Sequence, residues 1–300
     1  VVLSRIAANA VWSFLRRDGD FLCSDPRFQR VWQASAYTAR LCTRPDTYWD
    51  GIKRDRVGWF GDGRIIKEAT DQVFFDLRPA ESMLLSLPVD SWANGIPNYS
   101  FDAIAMLRSH VLRYGLGREC VRPTFDKVVA LLTWTRQTQT NPDGFIIRTE
   151  GTRYCFNTGF VDWSEFPLGG RHEELGWLQA TYLGGLRHAI DVADWLGERE
   201  QAAAWRLLAD ELAREIQRQF WQPGTGYIHT LNHVGQASNP HHPYTAYRDW
   251  HTKRTYEDHI RLGPSGPSRQ VNALAILAGL GDESQRRLIR EKVFDNPEVP

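Results

Sequence analysis

Apolar residues recur at three- and four-residue spacing along most of the chain, and strict apolar/polar alternation is scarce, so the pattern predicts helices rather than strands. In FLCSDPRFQRVWQASAYTARLC, positions Phe28, Val31, Trp32, Ser35, Thr38 and Cys42 share one helical face, and Ser24 or Asp25 can cap it. A second helix is expected from about Ile65 to Leu77. YSFDAIAMLRSHVLRYG reads as a third, ended by Gly115 as a C-cap. RPTFDKVVALLTWTRQT reads as a fourth, with Pro123 near its start. EELGWLQATYLGGLRHAIDVADWLG and EREQAAAWRLLADELAREIQRQFW are two long amphipathic helices joined at Gly197. SRQVNALAILAGLG and DESQRRLIREKVF add two more near the end. NPDGFIIR and TRYCFNTGF suggest short extended pieces around turns, and residues 222 to 266, rich in Pro, Gly, His and Asn, read as an irregular excursion.

About eight helices paired by short loops suggest a helical array or a closed α/α toroid. A toroid of six hairpins needs about twelve helices, so the ring is expected to be incomplete in this chain. No repeat is strict enough for a solenoid family.

Composition narrows the function classes. Lys+Arg and Asp+Glu both number 36, so no net field draws the chain to nucleic acid or to an anionic membrane. No stretch of apolar residues is long enough to span a bilayer, and the sequence starts without a charged segment leading into an apolar run. The absence of an initiator Met reads as a fragment. Cys23, Cys42, Cys120 and Cys155 are scattered, with no CxxC pair, and read as free thiols. The histidines at 241, 242, 251 and 259 form no metal-ligand spacing, so neither a metal nor a cofactor is expected. Aromatics are abundant, with 12 Trp, 14 Phe and 10 Tyr. Such an excess suits a large helical core, and it equally suits a carbohydrate cleft, where the apolar face of a sugar stacks on an indole.

One stretch resists assignment to a core or a helix face. WDGIKRDRVGWFGDGR, Trp49 to Arg64, holds three aspartates, four basic residues, four glycines and two tryptophans. Glycoside hydrolysis needs two carboxyl groups across the scissile bond, one to protonate the leaving oxygen and one to activate water or attack. Glycines let the backbone approach a ligand, and Lys53, Arg54 and Arg56 can bias the carboxylates. A loop of Asp and Arg that merely caps a helix accounts for the same residue types.

The order of residues adds more. DGIKRDRVGWFGD resembles the signature segment of the α-L-rhamnosidase family of glycoside hydrolases, with Asp50, Arg54, Asp55, Arg56, Gly58, Trp59, Gly61 and Asp62 at matching places. FLCSD resembles the family's lead-in to its catalytic barrel, FVDWSE its Gly-Asp-Trp segment with Val161 where Gly is usual, and SRQVNALAILAGL the helix after its long middle loop. The resemblance implies an all-α (α/α)6 barrel, residues 1–24 leading into it and residues 25–300 forming it, with sequence missing at both ends. It implies hydrolysis of terminal α-L-rhamnosides with inversion. Asp55 falls at the general acid, Asp50 and Asp62 on carboxylates that hold rhamnose hydroxyls, and Trp59 and Trp163 on aromatics that wall the pocket. Arg54 and Asp162 join the substrate-binding set. Two departures stand out. The family more often has Glu at the position of Asp55, and its general base is a Glu late in the barrel with no equivalent here. Glu165 and the Glu173–Glu174 pair are the acids nearest in kind, and a helix N-terminus accounts for the latter.

The implied partner is a carbohydrate, with no nucleic acid and no membrane. A non-catalytic sugar-binding relative, in which Asp55 no longer donates a proton, is an alternative. So is an unsaturated-uronide hydrolase or lyase on the same toroid, although three clustered acids would repel a uronate.

Overall fold

The computed structural model describes residues 15–51, 53–146, 174–228, 230–231 and 267–299. Within them the fold is mostly helical, and the strands form only two short two-stranded ladders. The chain divides into two compact units, Val1–Ser86 and Leu87–Pro300.

Among the described residues the first unit holds three helices. Helix α1 (Pro26–Cys42) starts as its sequence predicts: Pro26 occupies the first turn and the Asp25 carboxylate accepts from Arg27 N at 2.8 Å. Its buried residues are Ala36, Ala39 and Cys42, and Ala36 and Ala39 make a small core with Leu15, Val73, Phe74 and the partly buried Trp32. Phe28 and Val31, on the predicted apolar face, are exposed. Helix α2 (Phe60–Thr70) begins earlier than the periodicity suggests and stops before Leu77. Its early start incorporates Gly61 and Gly63, weak helix formers that packing retains. A Cβ on Gly63 would sit 2.7 Å from Met83 Cε, so glycine is what lets α2 approach α3 (Arg78–Leu85). The pattern did not single out α3, whose eight residues are too few for a clear period.

The second unit is built around α6 (Gly176–Leu196), buried over most of its circumference and packed on α4 (Pro97–Tyr114), α7 (Arg199–Phe220) and α8 (Arg269–Leu277). Helix α7 presents Ala202, Trp205, Leu208, Ala209, Leu212 and Ile216 as one stripe. Each such Leu or Ile removed from water contributes about 1.5–3 kcal/mol before the entropy of ordering is counted. Helices α6 and α7 are joined through Gly197 at φ 78°, as expected for a left-handed C-cap, and α4 ends likewise at Gly115, φ 85°. A Cβ on Gly185 would lie 2.8 Å from Phe101, so α4 and α6 meet closely there. Around that contact Trp92 packs edge-on against both Trp134 and Phe101, and Phe101 lies on Tyr182 with ring centroids 5.2 Å apart.

Helix α5 (Val121–Thr138) contains Pro123 within its first turn, where the missing N–H costs no intrahelical bond. After it, residues 141–144 turn as NPDG suggests, and Thr140 bridges Ile146. TRYCFNTGF and FVDWSE lie outside the described residues. The excursion after α7 begins with a hairpin, β2 (Trp221–Gln222) against β3 (Gly226–Tyr227), while β1 (Glu174–Leu175) pairs with β4 (Thr230–Leu231). Asn272 on α8 clamps this hairpin: its side chain accepts from Tyr227 N and donates to Tyr227 O, each at 2.9 Å. Helix α9 (Glu283–Ile289) carries a full capping box between Asp282 and Gln285 and runs into a π turn over Arg290–Phe294.

Candidate active site

The segment from Trp49 to Arg64 is held at both ends by buried structure of the first unit. Where α1 ends, Trp49 N donates to Cys42 O at 2.8 Å and Thr43 bridges Tyr48, closing a tight turn over Arg44–Thr47. Tyr48 is wholly buried, and its hydroxyl accepts from Thr70 Oγ1 at 3.2 Å. The Arg44 guanidinium lies 4.7 Å from the Trp49 ring centre. At the other end Trp59 is the N-cap residue of α2, and its carbonyl accepts from Gly63 N at 2.8 Å. Gly58 passes so near Thr47 that a Cβ would meet its Oγ1 at 2.3 Å. Glycine is therefore required at 58 by contact, whereas Arg56 holds a left-handed φ of 56° despite its side chain. A non-glycine residue in that region is strained, a trait concentrated at functional segments.

The three aspartates occupy different environments. The Asp50 side chain is fully enclosed, at 0% exposure. Arg54 Nε stands 3.4 Å from its Oδ2, yet neither carboxylate oxygen receives a hydrogen bond from the described residues. Asp62 is half-buried in the first turn of α2, where the helix dipole favours a negative charge. Asp55 is exposed, in the turn that follows Gly51. Trp59 is half-buried and Arg54 exposed. Asp162 and Trp163 lie outside the described residues, as do Glu165 and Glu173.

Asp50 and Asp62 converge on a residue that the sequence did not single out. Burial, and then the negative charges of Asp50 and of Asp62, push the Cys42 thiol up from its ordinary value. Cys42 is thus a buried thiol that holds its proton more tightly than an exposed cysteine does. Its one legible sign was a position on the apolar face of α1. Behind α2 lies a second unforeseen feature, an enclosed ion pair with Lys67 Nζ 2.5 Å from Asp71 Oδ2. The pair lies within the last turn of α2 and its C-cap, and the Thr70–Tyr48 hydrogen bond ties that turn to the segment that leads to Asp50.

Chemically, the arrangement offers an enclosed carboxylate lacking donors, a second acid on a helix N-terminus, an indole at the helix start and an exposed acid in the intervening turn. That set can accept hydrogen bonds from hydroxyls and stack an apolar ring face.

The chain has relatives of known structure. The glycoside hydrolase family 78 rhamnosidase of Bacillus sp. GL1 superposes with a TM-score of 0.70 at 22% identity, over 92% of this chain and 27% of that one. A rhamnosidase from Klebsiella oxytoca, solved with rhamnose bound, superposes at 0.62 and 17% identity, over 92% of this chain and 48% of that one. The chain therefore spans less than half the length of either, and at these identities the likeness establishes the fold, an all-α six-hairpin toroid. No curated protein matches the sequence. The family model described as the bacterial α-L-rhamnosidase six-hairpin glycosidase domain matches residues 16–239, which include the whole Trp49–Arg64 segment, and the chain belongs to that family.

Proposed function

We propose that the protein of which this chain is the barrel portion removes terminal α-L-rhamnose from rhamnosides with inversion at the anomeric carbon. Asp50 and Asp62 hold sugar hydroxyls, Trp59 walls the sugar ring, Arg54 steadies Asp50, and Asp55 donates the proton to the leaving oxygen. Asp162 and Trp163 also bind the sugar in this reading. Inversion needs about 6.5–9.5 Å between acid and base carboxyl groups to admit a water. The base is accordingly sought outside the Asp50–Asp62 segment.

The observation that carries the reading is the state of Asp50: a fully enclosed carboxylate whose two oxygens accept no hydrogen bond from the described residues. A buried charge without donors is costly, and sugar hydroxyls supply what the protein withholds. The rhamnose-bound Klebsiella oxytoca relative supports the choice of sugar. Titration of the full-length protein with methyl α-L-rhamnoside tests it. Asp50→Asn should weaken binding by about 10–100-fold, the worth of hydrogen bonds to a charged group. Undiminished affinity would overturn the assignment.

A second reading follows from Asp55. A general acid has to be held against the leaving oxygen, and Asp55 is exposed in its turn. This favours a sugar-binding relative without hydrolysis, which the same titration recognises as binding with no turnover.

A further inference from the structure

The second unit contains a cleft of about 250 Å³ between the end of α5, the turn after it, and helices α6 and α7. Its polar lining comes from Arg136, Thr140, Asp143, Tyr182 and Glu211, and its apolar lining from Pro142, Leu208 and Leu212. The walls are preorganised. Within the turn, Asn141 N donates to Phe145 O, Gly144 N to Asn141 O, and Phe145 N to the Asn141 side chain, each at 2.9 Å. Gln179 on α6 then pins Ile146 through both its backbone groups.

The unusual member is Tyr182. It is wholly buried, its ring is held against Phe101, and its hydroxyl has no hydrogen-bond partner among the described residues. Leaving a phenol dry and unpaired is unfavourable, and a ligand that accepts from it or donates to it removes the cost. Burial pushes the phenol up and the Arg136 charge acts in the opposite sense, so the guanidinium and the phenol are neighbours. Arg136 and Glu211 make no ion pair with any described residue. Asp143 is steadied at the rim by Gln219 Nε2, 3.1 Å away. Thr140 donates its hydroxyl proton to Arg136 O, which leaves its oxygen free to accept.

The cleft thus presents donors and acceptors at separate points around a small apolar surface. One cation against two carboxylates disfavours an anion, and the volume falls below the roughly 300–1,000 Å³ of sites for drug-sized ligands. We propose that this cleft binds one neutral polyhydroxylated ring of pyranose size, with Tyr182 and Arg136 donating to ring hydroxyls and Glu211 accepting from them. The proposal is independent of the roles assigned to the Asp50 segment.

The test uses the whole chain carrying Asp50→Asn, which disables the carboxylate proposed to hold a terminal sugar. It is titrated calorimetrically with methyl β-D-glucopyranoside and methyl α-L-rhamnopyranoside. One weak site of about millimolar Kd is expected. Tyr182→Phe, which keeps the ring and removes only the hydroxyl, should weaken it about 3–10-fold, and Glu211→Gln, at an exposed position, by a similar factor. Three results would each overturn the proposal: no binding of either pyranoside, affinity indifferent to both substitutions, or displacement of the pyranoside by millimolar ethylamine. Complete loss of pyranoside binding on Asp50→Asn alone removes this site while leaving the Asp50 reading intact.

Discussion

Gln179 reaches across from α6 to Ile146 and replaces a strand: its Oε1 accepts from Ile146 N at 2.8 Å and its Nε2 donates to Ile146 O at 2.9 Å. Both residues are buried, so no water substitutes for either bond. Gln179→Leu leaves two buried backbone groups unpaired at about 1–3 kcal/mol each. A drop in the urea midpoint with an unchanged denaturant slope is expected, together with faster hydrogen exchange at Ile146 N. Exchange at Ile146 as slow as in the parent would contradict the clamp.

The enclosed Lys67–Asp71 pair predicts different outcomes for single and double changes. Removing one partner takes away part of what offsets the other's buried charge, so Lys67→Met or Asp71→Leu alone should destabilise the first unit by up to about 3–5 kcal/mol. Changing both together should restore most of that loss, because desolvating the pair costs nearly as much as its attraction returns. A double-mutant cycle in thermal unfolding measures the coupling, and additive effects would contradict it.

Cys42 and Cys23 should differ sharply toward iodoacetamide at about pH 8. Cys23 is exposed, whereas Cys42 is buried and its thiol is pushed up by burial and by Asp50 and Asp62. Peptide mapping should show Cys23 modified first. Because the folded state holds the Cys42 proton more tightly than the unfolded state, this group leaves stability unaffected at low pH and erodes it as pH rises through the unfolded thiol's range. Asp50→Asn removes one of the charges and should lessen that alkaline loss.

For the full-length protein, leaving-group dependence separates proton donation from sugar binding. Asp55→Asn should slow hydrolysis of a rhamnoside with a poor leaving group about 10²–10⁴-fold and that of an activated aryl rhamnoside much less. Asp50→Asn and Asp62→Asn should impair both substrates alike. Equal rates for Asp55→Asn and parent on the poor substrate would exclude Asp55 as the acid.

The sequence by itself determined the helices and much of their punctuation. A 3.6-residue period, the Asp25 cap, Pro at helix starts, and Gly115 and Gly197 at helix ends are decided by neighbours a few residues away, and they read directly from the chain. It also marked Trp49–Arg64 as a segment whose charges and glycines suit neither core nor helix face. Only the tertiary structure decided which surfaces meet. It buried Ala36 and Ala39 while leaving the larger Phe28 and Val31 exposed, and it started α2 at Phe60, with Gly63 close against Met83. It also enclosed Asp50 yet left Asp55, five residues on, in solvent, and it left the Tyr182 hydroxyl buried without a partner. Helix propensity is a property of adjacent residues. The desolvation of a carboxylate or a phenol is set by atoms distant in the chain, which periodicity and motif spacing do not encode.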